Sequence, residues 1–184
     1  EMYMPNLEYI NCIGEWYETP GKSTPPDRDY YYIGMYRNNW DWWGPIGTLR
    51  YVNVSGNPKL KSLYLGCNSA LGEELGTIDL THNPGLESIN LDYTLLEYPD
   101  ISGNVLLKQV YLSHLHGSFP DLSSLDLIEY LSIDHPQDAY LFGGAVTRID
   151  LDVSNMADLK LLHASSRIRS ISDLSSNPKL SELT

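Results

Sequence analysis

The sequence predicts a repeat solenoid: one mostly β domain in which short parallel strands stack into a sheet and each coil buries its apolar side against its neighbours. Three observations predict it. First, a phrase returns in constant frame: an acid or Asn, an aliphatic residue, a Ser or Thr, then five residues ending in an aliphatic anchor. It reads Asn53-Val54-Ser55 to Leu60, Asp79-Leu80-Thr81 to Leu86, Asp100-Ile101-Ser102 to Leu107, Asp121-Leu122-Ser123 to Ile128, Asp152-Val153-Ser154 to Leu159 and Asp173-Leu174-Ser175 to Leu180. Second, the anchors open apolar triplets: Leu60/Leu63/Leu65, Leu86/Ile89/Leu91, Leu107/Val110/Leu112, Ile128/Leu131/Ile133 and Leu159/Leu162/Ala164, with Leu7/Ile10/Cys12 as an earlier copy. Third, across six coils the residue after the anchor alternates in sign: Glu8, Lys61, Glu87, Lys108, Glu129, Lys160.

These anchors place seven short strands, beginning at 7, 60, 86, 107, 128, 159 and 180, with a smallest spacing of 21 residues. About seven coils follow, with the strands on the concave side and irregular or extended segments opposite. Inward Leu, Ile and Val each contribute roughly 1.5–3 kcal/mol on burial. The count from each Asp or Asn to the next strand is constant, so extra length falls only after a strand. Insertions at 13–48 and 134–147 are therefore expected along one edge of a single domain spanning 1–184. Strands in a sheet lie about 4.8 Å apart, so each ladder charge faces the opposite sign on both sides, which fixes the pairing.

Outward strand positions form two columns. One reads Asn11, Tyr64, Asn90, Tyr111, Ser132, His163; the other reads Tyr9, Ser62, Ser88, Gln109, Tyr130, Leu161. Tyr and Asn suit a binding surface, giving contact area and hydrogen bonds at low entropy, while β-propensity explains the tyrosines equally well. Asn57, Asn83, Asn104 and Asn177 fit a turn ladder, because Asn bonds its own backbone and relaxes a tight bend.

The pattern of Leu60, Leu63, Leu65 and Asn68, then Asp79-Leu80-Thr81-His82-Asn83-Pro84, resembles the leucine-rich repeat family, in its 21-residue class of bacterial surface and secreted proteins. The resemblance covers 1–12 and 49–184. It implies ligand or partner binding on the concave face and its rim, and an extracellular or cell-surface location. The copies at Leu125 and Met156 lack the Asn, and Pro99 and Pro120 replace an aliphatic residue, so those coils are expected to be less regular in their second halves. The chain begins and stops inside repeats, so a longer protein is expected, with an export signal or lipid anchor upstream.

Composition narrows the partners. A formal net charge of −12 argues against nucleic acid or anionic membrane, which select basic surfaces. No apolar run reaches the length of a membrane span. Cys12 falls on an inward strand position and Cys67 two residues past the equivalent one; a buried thiol and a Cys12–Cys67 bridge near the limit of disulfide reach both stay open.

Chemistry has few places to sit. The column Asp79, Asp100, Asp121, Asp152, Asp173 stacks like charges, which a calcium ion would relieve, but no glycine-rich calcium loop surrounds it. His114, His135 and His116 lie near one another without a third or fourth ligand type to complete a metal site. No nucleophile elbow, zinc-protease helix, P-loop or dinucleotide fingerprint is present, so neither an enzyme nor a cofactor is expected.

The informative departure is 13–48, which holds all four tryptophans, Trp16, Trp40, Trp42 and Trp43, with Tyr36 among several tyrosines. Long loops inside compact repeats are functional or disordered, and this aromatic content argues against disorder. A flap covering the solenoid edge is one reading. The other is a partner-binding element, since Trp and Tyr dominate interface hot spots. Tyr140 and Phe142 in the second insertion, with Tyr64 and Tyr111 on the sheet, complete the candidate site. The expectation is a non-enzymatic module that docks a protein partner through the concave face and aromatic edge. The alternative is a glycan-capture module stacking sugars on the Trp-rich loop, accessory to outer-membrane nutrient uptake. A structural spacer is a third reading.

Overall fold

The computed structural model describes residues 6–11, 49, 52–68, 76–94, 96–113, 115, 119–133, 149–164 and 168–184. Both expected insertions, and Cys12, His114, His116 and His135 with them, lie outside these residues.

Nine strands are described. In chain order they are β1 (Tyr9–Asn11), β2 (Ser62–Tyr64), β3 (Ser88–Asn90), β4 (Gln109–Tyr111), β5 (Tyr130–Ile133), β6 (Ile149–Leu151), β7 (Leu161–Ala164), β8 (Ile168–Ile171) and β9 (Glu182–Leu183). Seven of them form one parallel sheet in the order β1-β2-β3-β4-β5-β7-β9. Its register is the one that the sequence columns require: Ile10 pairs with Leu63, Leu63 with Ile89, Ile89 with Val110, Val110 with Leu131, Leu131 with Leu162, and Leu162 with Leu183. A shift of one residue would turn every inward leucine to water, so the apolar triplets alone specify this alignment. The fold is a leucine-rich-repeat-type solenoid.

Each coil enters its strand by the same turn. In the first described copy, Asn57 N–H donates to the Val54 carbonyl at 3.0 Å and Leu60 N–H to the Asn57 carbonyl at 3.0 Å. The carboxylate or amide that heads the phrase then locks the bend. Oδ1 of Asn53, Asp79, Asp100, Asp121, Asp152 and Asp173 accepts the N–H two residues on, at 2.9–3.0 Å. This constant geometry is why no extra residue intrudes between the phrase and the strand.

Three of the buried ladder residues, Asn83, Asn104 and Asn177, work differently from the expectation: their amides reach the coil before, not their own bend. Asn83 Nδ2 donates to the Val54 and Asn57 carbonyls (3.0 and 2.9 Å), Asn104 to those of Leu80 and Asn83 (3.4 and 2.9 Å), and Asn177 to those of Val153 and Met156 (both 2.8 Å). A turn that stacks on its neighbour buries carbonyls that water cannot reach, and a buried carbonyl needs a donor. Where Leu125 and Met156 replace the Asn, the turn persists, and Leu125 N–H still meets the Leu122 carbonyl at 3.0 Å. At Met156 the residue just ahead reaches an equivalent carbonyl, Asn155 Nδ2 donating to that of Leu122 at 3.3 Å, whereas ahead of Leu125 Ser124 Oγ bonds a different one, the Ser102 carbonyl, at 2.8 Å.

Opposite the long sheet, β6 and β8 pair in parallel. Ser172 N–H extends the pair by donating to the Leu151 carbonyl at 2.9 Å. In the two preceding coils the equivalent positions hold Pro99 and Pro120, both buried. Proline has no N–H to offer, so neither residue can make the bond that Ser172 makes; Val52 and Ile78, at the same position without proline, also lie outside any strand. The core between the two sides includes Leu60, Leu65, Leu91, Ile101, Leu112, Val153 and Leu159, all fully buried.

Candidate binding face

The outward residues of the long sheet form one continuous face. Main-chain bonds along its entry edge run from coil to coil through the charged positions: Lys61, Glu87, Lys108, Glu129 and Lys160 each donate N–H to the carbonyl of the charged residue before, at 2.8 Å. The side chains resolve the alternating ladder into pairs. Lys61 Nζ bonds Glu8 at 2.8 Å, Lys108 bonds Glu87 at 2.8 Å and Lys160 bonds Glu129 at 2.5 Å. The expected two-sided arrangement becomes one contact backward and a weaker attraction forward. Lys61 holds the Glu8 carboxyl below the usual carboxylate range, first by hydrogen bond and then by charge, and Lys108 does the same for Glu87. The partner lysines are pushed upward in turn.

Behind this edge lies a hydrogen-bonded strip of tyrosine, serine and amide. Tyr64 Oη lies 2.7 Å from Ser88 Oγ, and Ser88 Oγ donates to Gln109 Oε1 at 3.1 Å. Ser88 has one proton and spends it on Gln109, so Tyr64 is the donor at the other end. The Tyr9 ring meets the Tyr64 ring edge-on at 5.6 Å, an arrangement that aromatic quadrupoles favour. Further along, Lys160 Nζ sits 5.7 Å from the Tyr130 ring centre, within cation–π range.

Asn90 occupies the strip's other column, and Gly66 makes room for it. A Cβ at Gly66 would fall 2.4 Å from Asn90 Oδ1, closer than real contacts allow. Seated there, Asn90 Oδ1 accepts the Asp92 N–H at 3.1 Å. Asp92 Oδ1 accepts the Ser113 N–H at 2.6 Å, and its carbonyl accepts the Cys67 N–H at 2.8 Å. Cys67 and Tyr93, on adjacent coils at the strand exits, both hold left-handed backbone at φ 61° and 57°. That conformation is uncommon outside glycine, so these exits are sharply defined bends.

Of the residues that the sequence singles out, Tyr64 and Tyr111 stand half-buried on this face in the same column, either side of Asn90. Trp16, Tyr36, Trp40, Trp42, Trp43, Tyr140 and Phe142 lie outside the described residues, and so does any Cys12–Cys67 bridge. Ser88, Asn90 and Gln109 belong to the outward columns read from the sequence, where Ser88 and Gln109 hold the same repeat position 21 residues apart; Asp92 is the one that the columns do not include. The Asp column is engaged in its turns, with pKa values lowered by the Thr81, Ser102, Ser123, Ser154 and Ser175 groups that donate to it.

No family model and no curated protein matches the sequence. Among solved structures, the chain is similar to the functional domain of InlJ from Listeria monocytogenes, a leucine-rich repeat protein whose domain includes a cysteine ladder. The identity is 22% and the TM-score 0.53, over 74% of this chain and 32% of that one. The likeness is one of fold. With two cysteines in all, the present chain makes its coil-to-coil ladder from Asn.

Proposed function

We propose that this leucine-rich-repeat-type solenoid is a non-enzymatic binding module of an exported bacterial protein, docking a protein partner at the cell surface. The docking surface is the outer face of the long sheet together with the aromatic insertions 13–48 and 134–147, which the repeat spacing in the sequence assigns to one edge. One observation carries the reading: tyrosines and amides are held in register on a rigid sheet by backbone bonds and by each other. Such a face is preorganised, so little ordering entropy opposes association. The InlJ likeness supports the choice of a bacterial surface context, and Trp40, Trp42 and Trp43 supply anchor rings of the kind that dominate interfaces.

The test is capture from solubilised bacterial envelope by the wild-type protein and two folded variants. One carries Trp40→Ala, Trp42→Ala and Trp43→Ala; the other carries Tyr64→Ala and Tyr111→Ala. A defined protein held by wild type and lost by both variants is the expected result. Capture of the same proteins by all three, or of none, sinks the docking reading. A tryptophan fluorescence change with an oligosaccharide, insensitive to salt, would replace it with glycan capture.

A further inference from the structure

Asn90 and Gln109 share an arrangement that a structural role alone does not require. Each has its side-chain oxygen spent inside the protein, Asn90 on the Asp92 N–H and Gln109 on the Ser88 hydroxyl. Each is half-buried on the outer face of the sheet. No described residue accepts from Asn90 Nδ2 or Gln109 Nε2. The face therefore presents two primary amides as donors, with their rotation fixed by the bonds behind them.

Their spacing selects a ligand. Gln109 pairs directly with Ser88, and Asn90 lies two residues beyond Ser88 on the same strand. One strand across and two residues along separates their Cα atoms by about 8 Å. In an extended polypeptide, carbonyls on one side recur every two residues, roughly 6.7 Å apart. Gln and Asn side chains easily span the difference. Charge narrows the choice further. The lysines Lys61, Lys108 and Lys160 along the rim are each tied to a Glu, and the chain carries a net charge of −12. Such a face disfavours carboxylate and sulfate acceptors and favours neutral carbonyls on a chain that bears cations. The Tyr64 and Tyr111 rings flanking Asn90 suit the same cations.

Building on the binding-module reading, we infer that β3 and β4 take an extended, basic polypeptide segment, whose alternate main-chain carbonyls accept from Asn90 Nδ2 and Gln109 Nε2. The segment crosses the sheet obliquely and places Lys or Arg side chains against Tyr64 and Tyr111.

The test uses a displayed library of random ten-residue peptides, with the enriched sequences synthesised and titrated by calorimetry against wild type and an Asn90→Asp, Gln109→Glu variant. The variant keeps both internal acceptor oxygens and deletes only the two outward donors, while making the face two charges more acidic. Enrichment of Lys- and Arg-bearing peptides, with at least tenfold weaker binding to the variant, is the expected result. If electrostatics alone were at work, the variant would bind more tightly, and that outcome overturns the inference. So does an absence of enriched peptides, which leaves protein docking standing wherever the envelope capture succeeds. A second readout does not depend on the variant folding. The side-chain amide resonances of Asn90 and Gln109 in the wild-type protein should both shift as an enriched peptide is added, and resonances that stay put overturn the assignment.

Discussion

Asn83 illustrates how a single side chain joins two coils. It is fully buried and gives both amide protons to carbonyls of the preceding turn. Asn83→Ala removes one of the two hydrogen bonds at each of the Val54 and Asn57 carbonyls, which keep the Asn57 and Leu60 N–H donors; at about 0.5–1.5 kcal/mol per bond the loss is about 1–3 kcal/mol. The expected loss, read as a lower urea midpoint with unchanged slope, lies in that range. A midpoint within error of wild type would show that water replaces the amide. The exposed carboxylates respond to pH instead. The five aspartates of the turn column, with Glu8 and Glu87, have folded-state pKa values below their unfolded ones. Their contribution is therefore complete above the unfolded values and is lost as pH falls through the folded ones. Lys61, Lys108 and Lys160 shift upward, so their contribution is complete below the unfolded value and fades as pH rises through the folded one. The melting temperature should form a plateau that drops on the acid side below about pH 4 and on the alkaline side above about pH 10. A flat acid limb would mean that the turn bonds form equally in the unfolded chain.

At the scale of the strand, the Glu87–Lys108 pair tests how the register is held. Both side chains are more than a third exposed, so solvent screening keeps the pair weak. A double-mutant cycle through Glu87→Ala and Lys108→Ala should return a small coupling at low salt and nearly none at 1 M. A coupling that survives high salt would point to packing of the aliphatic stems. The sheet was legible in the sequence because the same apolar triplet, spaced by three and then two residues, recurs in each coil, and because the ladder alternates between coils. The β6–β8 pair was less legible. Ile149–Leu151 and Ile168–Ile171 carry no repeated phrase of their own. The amide strip was hidden for another reason. A column read down the repeat shows which residues are neighbours, but which oxygen each amide spends depends on side-chain geometry, as Asn90 over Gly66 shows.

At the scale of the whole molecule, each described strand of the long sheet pairs only with the strands beside it, and stability is expected to vary with position along the stack. Strands β3, β4 and β5 have neighbours on both sides, whereas β9 is the last strand of the sheet and its Leu183 is 52% exposed. Hydrogen exchange should be slowest at Ile89, Val110 and Leu131 and fastest at Leu183. Leu112→Ala, at a position with no exposure, should cost about 2–5 kcal/mol, and Leu183→Ala well under 1 kcal/mol by comparison. Equal exchange along the sheet would mean that the solenoid opens as one unit.

The charged ladder has a consequence for how such a molecule can grow or shrink. A solenoid is commonly pictured as a string of interchangeable beads, each removable without disturbing the rest. Here the sequence Glu8, Lys61, Glu87, Lys108, Glu129, Lys160 gives the beads parity. Excising the Glu87 coil would set Lys61 against Lys108, and excising the Lys108 coil would set Glu87 against Glu129. Removing both restores the pairing, with Lys61 beside Glu129. Odd and even coils are thus distinct species, and the smallest segment that can be duplicated or lost without a clash of like charges is a pair of them.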